Sequence, residues 1–591
     1  MTVDKVECRQ SSCEGEAGDE YRYVPLTSDN STRIVCLAPA LDHNDPLRCS
    51  LSEIDVHHPP EYQALSYVWG IESERSSIQC GRQLVSITQN LDVALRHFRG
   101  TNEAKLLWVD SISINQRNIP ERNKQVVIMG TIYRQATEVL VWLGRDNEYE
   151  ETAAAIDMMN KLVKGLTSKE EEYMNQMRLQ TKSTGMALLN LDIRMEFGIP
   201  EPGSKSFDAL QDLFTRPWFY RAWTFQESFL ASRKTYWIGS RSLSPGHIFN
   251  VQRLLMTLFV ATEDARYLSA KCLDENMAFT SQNEWIATNG NNNKLTLSSL
   301  LAQRRGSKCG NPSDLVYSLL GIASDGADIL PDYDESYGSV FAATTMHIIQ
   351  HSNTLAILSE IDASTSSELP SWVPDWRHRR PHAGFVWSGF PHTSLYRATG
   401  STGAKATLSK DSMQLTIQGI RCGVVEYVQP WDVEVFKNDS HYVLLQILQA
   451  DVSEFSSLPV RWNSEDRELL NQKNADEMVT YILRLLEWKH GCKYFCTKNG
   501  LLGNANSSAM VGDIVVLLNG GQVPYLIRKS EMTGKFSFVG DCYVHNYMDG
   551  QGFIEARKKA DPTYDDHDRS WLQGLEDAEI MPFPVETFNI I

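Results

Sequence analysis

The sequence predicts an α/β protein in three regions. These are a parallel sheet with crossover helices near the N-terminus, a mostly helical middle, and a small mainly-β subdomain at the C-terminal end. Three observations carry this reading. Short apolar runs alternate with helix-periodic stretches over residues 62–144, the pattern of parallel strands joined by crossover helices. Helical composition dominates from about residue 229 to 400. Beyond about residue 400, β-like segments follow one another: LTIQGIRCGVVEYV, GDIVVLLNGG, PYLIRKS and FSFVGDCYVHNY. At 591 residues the chain exceeds one ordinary core, so several domains are expected.

Taken in order, residues 1–20 read as a mobile polar tail. Residues 21–61 read as a β-hairpin region, with Tyr21–Leu26 and Arg33–Pro39 flanking a turn-rich stretch. Tyr62–Trp69 is a buried strand candidate. Asn90–Arg99 places Leu91, Leu95 and Phe98 on one helical face, with Asn90 as its cap. Leu106–Val109 is a short apolar strand. Pro120 suits the first turn of the next helix, Glu121 sits near its positive end, and Val126, Met129 and Tyr133 continue its apolar stripe. Val139–Gly144 reads as another buried strand. Residues 145–215 interrupt the pattern with a helical insertion, and the block RPWFYRAWTFQE, Arg216–Glu227, falls on a helix.

Composition excludes several classes. The formal net charge is −18 and no long Lys/Arg run occurs, which argues against a nucleic-acid partner. The strongest apolar run, Leu254–Ala261, is far short of the roughly 20 residues that span a bilayer. The polar N-terminus lacks a signal-type apolar region. Eleven cysteines without CxxC pairs are expected to be reduced thiols, and the expected location is the cytoplasm. There is no P-loop, GxSxG, HExxH or GxGxxG. The histidines are dispersed; His57 and His58, just before Pro59–Pro60, read as a surface loop. Neither a metal nor a cofactor is expected.

In parallel sheets, ligands sit beyond the carboxyl ends of the strands. Ser66, Tyr67 and Asp110 fall at or near such ends. Asp110 either binds a hydroxyl or caps the following loop; Asn115 and Gln116 order that loop, and Asn115 is also a candidate substrate contact. Glu227 is the principal candidate. RPWFYRAWTFQE places Trp218, Trp223 and Phe225 close to it, and Trp223, four residues before it, shares its helical face. A carboxylate desolvated by indole rings has a raised pKa, which suits acid/base work or binding of sugar hydroxyls. The alternative is an ion pair with Arg221 or Arg216 that orders the helix. Ser66 has no identifiable histidine partner for a catalytic triad.

Together YQALSYVWG, WVDSISINQRNIPERNKQVVIMGTIYRQATEVLVWLG and RPWFYRAWTFQE resemble the fungal heterokaryon incompatibility (HET) domain over about residues 62–228. PSDLVYSLLGIA, PDYDESYGSVF, LPSWVPDW and GDCYVHNYMDGQ are similar to segments of full-length members. One departure is Ser113, near which the family often has cysteine. The resemblance implies a role in fungal non-self recognition, with growth arrest or cell death acting through a protein partner or self-association. Other members have different roles, some linked to biosynthetic genes. HET domains are in turn similar to the Toll/interleukin-1 receptor (TIR) fold. In that likeness ALSY corresponds to the first strand, and Ser111–Pro120 to the loop called BB. Trp223–Glu227 has the spacing of W-C-x-x-E, with Thr224 in place of cysteine. The likeness implies NAD as substrate and Glu227 as catalytic residue, if the domain is an enzyme; scaffolding TIR domains carry the same motif.

Overall fold

The computed structural model describes residues 19–70, 73–145, 201–248, 295–361, 368–379, 396–430, 493–544, 547–564 and 583–591, apart from 202, 410 and 412, with a few isolated positions besides. The expected tail over residues 1–18 and most of the 145–215 insertion lie outside them. The chain divides into two compact units, Met1–Leu295 with Ser307–Asp334, and Thr296–Gly306 with Glu335–Ile591.

The first unit is built on a nine-stranded sheet. Its strands are β1 (Ser31–Leu37), β2 (Arg48–Asp55), β3 (Gln63–Tyr67), β4 (Arg75–Cys80), β5 (Gln83–Thr88), β6 (Lys105–Trp108), β7 (Glu138–Trp142), β8 (Lys234–Ile238) and β9 (Arg241–Leu243). They are ordered β5-β4-β2-β1-β6-β3-β7-β8-β9. The middle of the sheet, β6-β3-β7-β8, is parallel. Its flanks are mixed, because β1–β2, β4–β5 and β8–β9 are joined by short loops that permit only antiparallel pairing. The expected parallel sheet is therefore its centre and not its whole.

Two local expectations are corrected. Tyr21–Leu26 is not a strand; the hairpin of this region is β1–β2, and the approach to it makes a single bridge from Glu20 to Leu84. Residues 234–243, placed in the helical middle, are two strands that extend the sheet. Thr235–Ile238 alternates half-buried and buried positions, a period-two pattern that the composition of its surroundings hides.

Helices cover both faces of the parallel centre. α1 (Gln89–Phe98) buries Leu91, Leu95 and Phe98 against Leu65, Tyr67 and Trp142. Its cap is Thr88, whose hydroxyl accepts from the Leu91 amide at 3.4 Å. Asn90, expected as that cap, instead lies inside the helix and donates to the Val68 carbonyl at 2.6 Å. α2 (Asp110–Ser113) is one turn. α3 (Ile119–Gln135) has Pro120 in its first turn, as the sequence predicts, and Asn118 caps it. α4 (Lys205–Phe214) precedes a 3-10 turn at Pro217–Tyr220, and α5 (Ala222–Phe229) follows directly.

α6 (Leu297–Gln303) belongs to the second unit, while α7 (Asp314–Leu320) returns to the first. The second unit continues with α8 (Tyr337–Ser352) and the strands β10 (Thr407–Leu408), β11 (Leu415–Pro430), β12 (Lys493–Thr497), β13 (Leu502–Ala505), β14 (Ile514–Leu518), β15 (Tyr525–Lys529), β16 (Phe536–Val544) and β17 (Glu586–Ile590), with α9 (Gln551–Ala560) ahead of the last. Pairing of β11 with both β12 and β14 closes β11-β12-β13-β16-β15-β14 into a small barrel, which removes the exposed edges. The four C-terminal segments singled out in the sequence are β11, β14, β15 and β16.

Candidate functional site

β3 is the central strand of the sheet, between β6 and β7, and four of its five residues are buried. Side chains alternate along a strand. Leu65 and Tyr67 join the core cluster that includes α1, and Ser66 faces the other way. A hydroxyl in that position must find partners inside the protein. Ser66 is completely buried and donates to Glu227 Oε2 of α5, while its oxygen accepts from Trp218 Nε1 at 2.8 Å. The 3-10 turn at Pro217–Tyr220 sets Trp218 against β3. Thr224 then ties the start of α5 back to it, through hydrogen bonds to the carbonyls of Trp218 at 2.7 Å and Arg221 at 3.0 Å.

At the carboxyl end of β3 the Arg221 guanidinium donates to the Tyr67 carbonyl. The Tyr67 hydroxyl meets Ser111 Oγ at 2.7 Å. Trp69 Nε1 donates to Asp110 Oδ2 at 2.7 Å, and the Ser111 amide to Asp110 Oδ1 at 2.7 Å. Asp110 thus caps its own loop while standing beside the strand end. Gly70, at φ +84°, lets the chain turn away after Trp69.

The electrostatics follow from one guanidinium acting on a buried carboxyl, Glu227, and a half-buried one, Asp110. Burial pushes Glu227 up to about 7; Arg221 opposes this, the Asp110 charge adds to it, and hydrogen bonds from Ser66 and Tyr133 oppose it. Asp110 is also raised, by burial first, against the pull of Arg221 and of its Trp69 and Ser111 hydrogen bonds. The Tyr67 and Tyr133 phenols are pushed well above their usual value, chiefly by burial.

Ser66, Tyr67, Asp110 and Glu227 are therefore brought together, around Arg221. Trp223 is not part of this centre: its indole hydrogen-bonds the Asp314 carboxyl, which also accepts from the Tyr333 hydroxyl at 2.6 Å. The indole beside Glu227 is Trp218, and Tyr133 completes the surround. Both lay inside the aromatic blocks, but four-residue helical spacing points to Trp223, and the 3-10 turn is what redirects the chain. Arg216, the other expected ion-pair partner, donates to the Leu143 carbonyl at 2.8 Å. Asn115 orders its loop: its amide donates to Glu121 Oε1 at 2.8 Å, and its side chain accepts from the Arg117 amide at 3.3 Å. It also lines a cavity of about 600 Å³, shared with Tyr21, Tyr23, Trp69, Ser111 and Arg117. Glu227 is 3% exposed and is not among the residues that line this cavity.

No cluster of three or more metal-ligating side chains, and no helix long and apolar enough to cross a membrane, occurs among the described residues.

The sheet-borne Ser–Glu–Trp centre lies within Tyr62–Glu227, and a closed β barrel follows it in sequence. Residues 62–227 match the family model described as heterokaryon incompatibility protein (HET), and residues 445–561 match the Het-6 β-barrel domain. The chain is 27% identical to heterokaryon incompatibility protein 6, OR allele, of Neurospora crassa, over 90% of this chain and 96% of that protein. No solved structure gives a significant match. Over these stretches the chain is similar to heterokaryon incompatibility proteins.

Proposed function

We propose that this protein acts in fungal non-self recognition and that its HET domain triggers growth arrest or cell death from the cytoplasm, through self-association or a protein partner. The observation that carries the reading is the coincidence of the HET match, residues 62–227, with the stretch that builds the buried Ser66–Glu227 centre. The near end-to-end alignment with a heterokaryon incompatibility protein supports it. The net charge of −18 favours a protein partner over nucleic acid, and sedimentation of the active chain is expected to show a species larger than a monomer.

A second reading is favoured by the Glu227 carboxyl itself. Buried, raised to about 7 and held by Ser66, it suits a TIR-like NAD glycohydrolase. Glu227 would hold the ribose and stabilise the positive charge that develops as the nicotinamide–ribose bond breaks. Water would supply the hydroxyl to the anomeric carbon, and nicotinamide would leave with the bonding pair. Because Glu227 is 3% exposed, substrate would reach it only after its neighbours move, which fits a triggered activity.

The test is expression of the full chain and its Glu227→Gln variant in fungal hyphae, with growth and free nicotinamide both followed. Growth arrest by the unaltered chain supports the first reading, and normal growth refutes it. Loss of nicotinamide release and killing together in a folded variant supports the second, whereas unchanged killing removes it and leaves a scaffolding module.

A further inference from the structure

Cys49 of β2 and Cys80 of β4 face one another across a parallel pair of strands. The β2–β4 seam is short, with only two register partners, Arg48↔Gln79 and Cys49↔Cys80. Parallel neighbours stand about 4.8 Å apart, inside the Cα separation of about 4.4–6.8 Å that a disulfide spans. The two thiols already hydrogen-bond each other.

Cys80 is the better nucleophile of the two. The Cys49 thiol donates to it first of all, and the Leu51 amide and the Tyr21 hydroxyl also donate; these hold its pKa below the ordinary thiol value against the opposing effect of burial. The same hydrogen bond, with burial, pushes Cys49 well above its usual value, so Cys49 keeps the proton. Tyr21 is also a wall of the 600 Å³ cavity, together with Tyr23, Arg22, Arg75 and Arg117. A small polar oxidant that enters the cavity is therefore separated from Cys80 by one half-buried ring.

We propose that Cys49 and Cys80 are a hydroperoxide-reactive dithiol, and that its closure to a disulfide welds the β4–β5 hairpin to the rest of the sheet. The Cys80 thiolate attacks one oxygen of hydrogen peroxide. An S–O bond forms, the O–O bond breaks, and the departing hydroxide takes up a proton to leave as water. The Cys49 sulfur then attacks Cys80; an S–S bond forms, the S–O bond breaks, and the second water leaves with the Cys49 proton. Two thiols lose two electrons and one peroxide becomes two waters. This site is independent of Glu227 and of any NAD chemistry.

The full native chain is treated with hydrogen peroxide, checked by circular dichroism for retained fold, alkylated in denaturant, digested and read by mass spectrometry. The expected result is a peptide that links Cys49 to Cys80, with loss of those two alkylatable thiols, and slower hydrogen exchange at Arg75–Cys80. Dimedone added at short times is expected to label Cys80 in the unaltered chain, and to accumulate there in Cys49→Ser. Cys49 and Cys80 both remaining alkylatable in folded, treated chain overturns the proposal. So does a link from either of them to Cys36, the third cysteine of this edge, or dimedone on Cys49 rather than Cys80. If Cys49→Ser does not fold, the short-time labelling of the unaltered chain decides the order of attack. Exchange at Arg75–Cys80 that is unchanged in linked chain overturns the weld.

Discussion

Glu227→Gln separates a buried acid from an ion-pair anchor by the sign of one pH dependence. Glu227 is buried and its pKa lies at about 7 against an ordinary value of 4.5. A raised folded-state value means that the native protein binds the proton more tightly than the unfolded chain. The associated stability is fully present below pH 4.5 and is lost as the pH rises through 7. The rise corresponds to about 3 kcal/mol. Gln carries no charge at any pH, and its carbonyl can still accept from Ser66, so the variant lacks this loss. Going from pH 5 to pH 8, the variant is therefore expected to gain on the unaltered chain by up to about 3 kcal/mol. Because the chain has two units, the readout is hydrogen exchange of the β3 and α5 amides in a urea series at the two pH values, which reports this domain by itself. A difference that stays flat with pH, or an unaltered chain that gains on the variant as the pH rises, refutes the argument and restores Glu227 as the anchor of an ion pair with Arg221.

Three further substitutions test the same geometry. Asp110→Asn removes a charge that raises Glu227, so the pH at which the native state sheds the Glu227 proton is expected to fall; a rise or no change in the stability–pH profile counts against the coupling. Trp218→Phe keeps most of the ring but deletes the donor to Ser66, and is expected to cost about 1 kcal/mol in domain stability by urea titration; no loss would mean that the hydrogen bond is idle. Glu121→Ala strands Arg33, whose Nη1 lies 2.6 Å from Oε1 with both residues nearly inaccessible, and also frees the Asn115 amide. Breaking such a pair costs about 3–5 kcal/mol; less than about 1 kcal/mol in thermal or urea unfolding, the scale of exposed pairs, would show the pair to be solvated.

What the sequence makes legible is what depends on short-range pattern. β3, β6 and β7 were readable because strands buried on both faces are continuous apolar runs, and α3 because Pro120 and Glu121 sit at its start. β11, β14, β15 and β16 were readable as β-like segments, but not β12 and β13, nor the closure, which rests on β11 meeting β14 across nearly a hundred residues of chain. β8 and β9 were missed because five and three residues carry too little periodicity to outweigh helical surroundings. In the site, Ser66, Asp110 and Glu227 were legible as polar residues at element ends. Arg221 was considered only as a partner of Glu227, and its hold on the Tyr67 carbonyl depends on where α5 meets the end of β3. Trp223 was preferred to Trp218 because helical spacing was extended back through a segment that is in fact a 3-10 turn.

The centre is best understood as one cation shared by two acids. Arg221 lowers both Asp110 and Glu227, yet both stay raised, because burial outweighs a single guanidinium divided between them. Trp69 and the Ser111 amide further stabilise Asp110 as an anion, and that anion in turn pushes Glu227 toward its protonated form. Both carboxyls are raised first by burial and both accept hydrogen bonds, and the Asp110 charge adds to the rise at Glu227. Any event that moves Arg221 away from the Tyr67 carbonyl and toward one acid changes the proton affinity of the other. The end of β3, where Ser111 meets the Tyr67 hydroxyl, is thus tied through Arg221 to the electrostatics of Glu227.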